Sequence, residues 1–90
     1  MVIVRLTPKA REQFAGLPKC IRPRILKLID RLRHWPDVSG AKQLSGKLAG
    51  HYRVRTGDYR VQFVPTRSGD DGLVVVEKIG HRDGFYDDDD

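Results

Sequence analysis

The sequence has one cysteine, Cys20, and no apolar run long enough to cross a membrane. A single thiol excludes an internal disulfide and fits a reducing compartment. Charge appears within the first five residues, at Arg5, and no apolar stretch reaches the length of a secretory signal. We therefore expect a cytoplasmic protein without membrane contact.

Metal-ligand patterns are lacking as well. There is no cysteine pair, no His-x-x-x-His spacing and no carboxylate cluster apart from the run Asp87 to Asp90. We expect neither a metal nor a cofactor. A terminal aspartate run is typical of solvated chain. A second hypothesis is that this run folds over a basic surface of the same molecule and screens it.

Acidic residues are scarce outside that run. Seventeen Lys and Arg face eight acids in residues 1–86, which leaves +9 there, against +5 for the whole chain. Eleven of the cations are Arg, the side chain suited to bidentate phosphate contact. This balance favours a polyanionic partner such as nucleic acid or the ribosome. The alternative is a soluble surface that happens to be basic.

Ninety residues with 39% hydrophobic content indicate a single folded domain. Val2 to Val4 reads as a first strand, and Thr7-Pro8 as the start of a helix that ends at Gly16 and Pro18. A second helix is predicted from about Pro18 to Arg33, because its apolar residues recur at helical spacing. Residues 37–50 read as a loop.

The hydrophobic period then changes from helical to alternating. Residues 51–55 and 59–63 alternate with a period of two, and Thr56-Gly57-Asp58 between them predicts a hairpin turn. Residues 73–79 are almost continuously apolar, which is typical of an interior strand. The predicted order is β-α-α-β-β-β. We expect an α+β domain over residues 1–86, a small antiparallel sheet with a helical hairpin packed on one face, followed by an acidic tail at 87–90.

Alternation places the basic residues of the hairpin together. Tyr52 and Val54 point to one side of the sheet, with Tyr59, Val61 and Phe63. The opposite side, which we call the arginine face, carries His51, Arg53, Arg55, Arg60 and Gln62, and Arg82 can join it from the end of the last strand. Cations this close repel one another unless an anion lies among them. The alternative is an exposed sheet face kept soluble by charge.

Two segments carry a family resemblance. Residues 51–63, with Gly57-Asp58-Tyr59-Arg60, are similar to the central hairpin of the RelE/ParE toxin superfamily. Residues 79–86, with Gly80-His81-Arg82 followed by Tyr86, are similar to its C-terminal signature. The two helices and residues 44–48, which include the basic Lys47, also resemble the family, so the likeness covers nearly the whole chain.

The resemblance implies a RelE-like fold and a metal-independent endoribonuclease that cuts mRNA on the ribosome and inhibits translation. In that chemistry the 2′-hydroxyl attacks the adjacent phosphate. This requires a base, positive charge for the phosphorane and an acid for the leaving 5′-oxygen. Arg60 and Arg82 match family arginines that hold the phosphate, and Tyr86 matches a tyrosine that stacks on or orients the nucleotide.

Arg53 and Arg55 depart from the family pattern, since these positions often carry lysine there. An arginine does not lose its proton at ordinary pH, so both are expected to bind phosphate rather than act as bases. Lys47 and Gln62 are further candidate RNA contacts. His51 and His81 are candidate bases because imidazole titrates near neutral pH. Tyr86 could act as base only with a much lowered pKa.

Three functions stay open at this point. The first is the mRNA endoribonuclease, the second a ParE-like poison of DNA gyrase, and the third a non-catalytic basic module that binds nucleic acid. The resemblance also implies a cognate antitoxin. An apolar antitoxin helix would suit a groove between the helices and the sheet, and an acidic segment would suit the arginine face.

Overall fold

The computed structural model describes residues 2–46, 49–66 and 72–81. In chain order the elements are strand β1 (Ile3–Leu6), helix α1 (Pro8–Ala15), helix α2 (Arg22–Arg31), a 3-10 turn (Leu32–His34) and strands β2 (Lys42–Gln43), β3 (Tyr52–Thr56), β4 (Tyr59–Thr66) and β5 (Leu73–His81). The predicted roles of Lys47, Arg82, Tyr86 and the 87–90 tail lie outside the described residues.

The strands form one sheet in the order β1-β5-β4-β3-β2. The α+β class and the helical pair on one face are confirmed, with two additions. The sheet is mixed, because the edge strand β1 lies beside β5 and pairs with it in parallel. The segment expected to be a loop contains β2, which pairs antiparallel with the edge of β3. No helix within the described ranges is long and apolar enough to span a membrane.

The start of each helix is set by a capping side chain or by the position of a proline. Thr7 caps α1, because its Oγ1 accepts a hydrogen bond of 3.1 Å from the Ala10 amide. Helix α2 begins at Arg22, later than the predicted Pro18. The Pro18 carbonyl accepts hydrogen bonds from the Ile21 and Arg22 amides, which makes residues 18–21 a turn before the helix. Pro23 then occupies the first turn of α2, where its missing N–H costs nothing.

The core lies between the helices and one face of the sheet. Alternate residues of β3 and β4 point into it: Val54 is 2% exposed, and Val61 and Phe63 are fully buried. Trp35, after the 3-10 turn, packs edge-on against Tyr52 and Phe63 with ring centroids 4.8 and 5.2 Å apart. Because successive strand residues alternate in direction, this packing fixes the intervening residues on the opposite face.

A β-bulge interrupts the β4–β5 pairing. Gln62 lies opposite Lys78, but the next residue, Phe63, lies opposite Val76, so Glu77 is the extra residue of β5. Near the bulge, the side chain of Gln13 from α1 accepts a hydrogen bond of 2.8 Å from the Ile79 amide. The bulge keeps Val76 and Ile79 on the core side although three positions separate them.

Candidate nucleic-acid interface

The strand register assembles the arginine face in two rows. One row runs across four strands through Lys42, Arg53, Gln62 and Lys78. The next contains Arg55, Arg60 and Gly80. Residues directly opposite on neighbouring strands lie on the same side of the sheet with their side chains adjacent. The structure therefore brings together Arg53, Arg55, Arg60 and Gln62, as the alternation predicted.

Burial and neighbouring positive charge both disfavour the protonated form of Arg53. Its side chain is partly buried, and its pKa is lowered first by this burial and then by the charges of Arg60 and Arg55. A lowered pKa means that the protonated form is less favourable here than in water. Arginine nevertheless keeps its proton at neutral pH. An anion bound among these side chains would offset the repulsion.

Gln62 lies between Arg53 and Lys78 in its row of the sheet and is largely shielded from solvent. It points away from the core, as predicted, but only 5% of it is exposed. Its Oε1 is enclosed and has no hydrogen-bond partner among the described residues. Gln62 is therefore a buried polar side chain on the arginine face of the sheet.

His51 is held by a residue that the sequence reasoning did not assign. Its Nε2 lies 2.8 Å from Oε1 of Glu77, the bulge residue, with side-chain exposures of 24% and 38%. Its Nδ1 is enclosed, with no hydrogen-bond partner among the described residues. Neither ring nitrogen is therefore presented to an incoming 2′-hydroxyl in this arrangement. The contact also places the Glu77 carboxylate beside the arginine face.

His81 lies on the other side of the sheet. It pairs across the strands with Tyr59, a residue of the core side, whereas its neighbour Gly80 pairs with Arg60. The imidazole packs edge-on against the Tyr59 ring with centroids 5.2 Å apart. The structure therefore does not bring His81 to the arginines.

Three charged residues of this face were missed from the sequence. Lys42 belongs to the strand that was read as loop, and Glu77 and Lys78 lie at a bulge inside an apolar run. Lys78 could have been found by counting back one position from the core residue Ile79. Within residues 2–46, 49–66 and 72–81, no three His, Cys, Asp or Glu side chains are grouped so that they could hold a metal ion.

Comparison with known proteins assigns the chain to one family. The family model described as ParE toxin of the type II toxin–antitoxin system, parDE, matches residues 4–84. The putative toxin RelE1 of Methanocaldococcus jannaschii is 30% identical over an alignment of 86 positions, which covers 92% of this chain and 92% of the relative. The chain belongs to this family of toxins, within the RelE/ParE superfamily, and the resemblance seen in its sequence is confirmed.

Solved structures of RelE-type toxins have a similar fold. The chain is similar to one in the toxin–antitoxin complex RelBE2 of Mycobacterium tuberculosis, with 26% identity, a TM-score of 0.74 and coverage of 90% of this chain and 98% of the other. The archaeal RelE–RelB complex of Pyrococcus horikoshii gives 26% identity, a TM-score of 0.69 and coverage of 90% and 94%. The isolated RelE toxin of E. coli, 14% identical with a TM-score of 0.71 over 90% and 84%, shares the fold.

Proposed function

We propose that this toxin is a ribosome-dependent mRNA endoribonuclease that inhibits translation by cutting the message through 2′-hydroxyl attack on the adjacent phosphate. The observation that carries the proposal is the convergence of Arg53, Arg55 and Arg60 on one side of the β3–β4 hairpin. A phosphodiester is the anion that RNA presents repeatedly, and its charge rises as the phosphorane forms. Guanidinium groups placed in advance would stabilise that added charge.

Each residue has a proposed role in this scheme. Arg60 binds the scissile phosphate together with Arg82, and Tyr86 orients the nucleotide, as the family pattern implies. Arg53 and Arg55 supply positive charge beside it. Gln62 and Lys47 are proposed as further RNA contacts. No cofactor is required, because attack by the internal hydroxyl needs only proton transfer and charge stabilisation.

The scheme needs a base that accepts the proton of the 2′-hydroxyl. His81 faces the core side with Tyr59, so its location does not support a role as base. His51 is on the correct face, but its Nε2 is bound to Glu77 and its Nδ1 is enclosed. We propose that His51 positions Glu77 and the β3 end of the face, and that Tyr86 remains the candidate base. Cleavage that survives His51→Ala but not Tyr86→Phe would support this assignment.

Poisoning of DNA gyrase is the second candidate function. The specific observation in its favour is that the matching family model is that of ParE toxins. Such a protein needs no chemistry on the arginine face, so the same arginines would serve protein or DNA contact. The two functions differ in what is damaged after induction: messenger RNA in the first, chromosomal DNA in the second.

A cognate antitoxin is also proposed as partner. The M. tuberculosis and P. horikoshii relatives were solved in toxin–antitoxin complexes. The expected groove between helix and sheet is present here, about 450 Å³ in volume, between α2 and β1. Ile3 and Leu26 beside it are 56% and 55% exposed, which suits an apolar antitoxin segment. Co-expression with such an antitoxin should relieve growth arrest.

The deciding experiment is induced expression in bacteria, followed by growth measurement and mapping of mRNA 5′ ends. We expect growth arrest with new cuts within translated frames. Arg60→Ala should abolish the cuts, with a loss of at least about 100-fold, because one preorganised donor to a transition-state anion contributes that much. Lys9→Ala, at an exposed position of α1, is the matched control and should cut like the wild type.

Other outcomes have defined meanings. Arrest with intact mRNA and induction of the DNA-damage response would contradict cleavage and support gyrase poisoning. Normal growth at full expression would contradict both and leave a non-catalytic binding module.

A further inference from the structure

A groove at the β2 edge of the sheet extends the basic surface beyond the arginine face. It has a volume of about 490 Å³ and is lined by Arg31, Ser39, Gly40, Lys42, Arg53 and Arg55. Four of these six residues are cations, and they come from three separate elements: the end of α2, strand β2 and strand β3. A volume of this size lies in the range of small-molecule sites, about 300–1,000 Å³, and accommodates a nucleotide.

The fold builds this groove from parts that are distant in sequence. Lys42 lies directly opposite Arg53, so it continues the first row of the face to the sheet edge. Arg31 is tied to the groove wall, since its Nη2 donates a 2.7 Å hydrogen bond to the Ser39 carbonyl. Gly40 has a φ of +81°, and a side chain there would meet no atom within 4 Å. The space beside Gly40 is therefore open.

We propose that this groove is a second phosphate subsite, which binds an RNA phosphodiester next to the one held at Arg60. The inference rests on the proposed function only for the identity of the scissile site. Arg53 and Arg55 line the groove and also neighbour Arg60 across the hairpin, so one continuous basic track joins the two positions. An extended strand would place successive phosphates along this track, with Arg31 and Lys42 contacting one that is not cut.

RNA is the occupant that these observations favour over an acidic protein segment. The groove is continuous with the face on which the chemistry is proposed, and two of its cations, Lys42 and Arg53, lie opposite each other in one row of the sheet. Arginine and lysine grooves of this kind track a nucleic-acid backbone without reading its sequence. An acidic peptide is the alternative that the experiment must separate.

The test compares the binding of two fluorescent RNAs with 2′-O-methyl riboses, which cannot be cut, to the full chain. A trinucleotide is long enough for the arginine face alone, and a dodecanucleotide spans both positions. Arg31→Gln with Lys42→Gln should weaken the longer RNA about tenfold and leave the shorter one unchanged. The slope of log affinity against log salt should fall by about 0.7 for each phosphate that the variant no longer neutralises.

Two controls accompany the double variant. Lys9→Gln with Arg11→Gln removes the same charge from exposed positions of α1 and should leave both affinities unchanged. Lys42→Gln alone preserves the Arg31–Ser39 hydrogen bond and should show a smaller decrease in affinity, for the longer RNA only. Matching thermal unfolding would show that all variants are folded.

The outcomes separate this inference from the proposed function. Equal weakening of both RNAs, or equal weakening in the α1 control, would overturn the subsite. So would unchanged RNA binding combined with weaker binding of a glutamate-rich peptide. If messages are cut but the affinity for the longer RNA does not change in the Arg31 and Lys42 variant, the second subsite is contradicted and the proposed function stands. If no message is cut but the affinity for the longer RNA falls in the Arg31 and Lys42 variant, the second subsite is supported and the proposed function is contradicted.

Discussion

Gln62 is a polar side chain that is buried and whose Oε1 has no hydrogen-bond partner among the described residues. It is the single buried polar side chain within the described part of the chain. An enclosed acceptor without a donor costs about 1–3 kcal/mol. Its cross-strand neighbours on this face, Arg53 and Lys78, are both cations. A polar group kept at the expense of stability is typical of a functional surface.

Replacement of Gln62 by leucine tests this trade-off. Leucine has a similar volume and no polar atom, so Gln62→Leu should leave the free energy of unfolding unchanged or raise it by up to about 1 kcal/mol. The same variant should cleave more slowly, because it removes a proposed RNA contact. Gln62→Ala should instead lower stability, since it removes buried side-chain atoms and leaves a cavity. Urea unfolding and cleavage assays measure the two effects, and a strongly destabilised leucine variant would contradict the account.

The β3–β4 hairpin is the element that sets the site. Thr56 pairs with Tyr59, which leaves Gly57 and Asp58 as a two-residue loop. Gly57 has a φ of +58°, as a tight hairpin turn with glycine at its first position requires. This turn fixes Arg55 opposite Arg60. A slip of one residue would send the arginines to the core side and the core residues to the surface.

Substitution of Gly57 should therefore affect both stability and function. Gly57→Ala should lower the free energy of unfolding by about 1–2 kcal/mol, because a Cβ disfavours positive φ. Steric conflict is not the cause, since the new atom would lie 3.7 Å from Nη1 of Arg24, an ordinary contact. Gly57→Asn should cost less, because asparagine tolerates this conformation. Equal destabilisation of the two variants in urea unfolding would point to a clash instead.

The elements also show what the sequence could and could not predict. Alternation in residues 51–55 and 59–63 predicted both strands of the hairpin and the side on which each residue lies. Strand β2 was missed because two polar residues, Lys42 and Gln43, carry no periodic signal, and their pairing depends on the exposed edge of β3. The bulge at Glu77 was missed because an almost continuous apolar run does not reveal where the register shifts.

At the scale of the whole molecule, the two faces of the sheet differ in burial and in charge. One face is covered by the helices and forms the core, and the other carries a cluster of the cations that give the chain its excess of positive charge. Alternation alone could divide these faces, so the arginine set of the candidate site was predictable. Its extension to Arg31 was not, because the position of the α2 end beside β2 depends on how the helices pack on the sheet.

The two layers are joined by a specific contact at the bulge, between the side chain of Gln13 on α1 and the amide of Ile79 on β5. Ile79 is 2% exposed, so water cannot readily replace this acceptor. Gln13→Ala should lower the free energy of unfolding by about 1–3 kcal/mol, because it leaves a buried N–H unsatisfied. It should also speed hydrogen exchange at the Ile79 amide.

Gln13→Glu is the matched variant, since its carboxylate can still accept the Ile79 hydrogen bond. It should lose less stability than the alanine variant and keep the amide protected. Alanine and glutamate variants with the same exchange rate at Ile79 would contradict a role for this hydrogen bond. If the contact also holds the bulge in register, Gln13→Ala should displace Glu77 from His51. The His51 ring resonances would then shift in the alanine variant and not in the glutamate variant, which links the helix layer to the arginine face across the sheet.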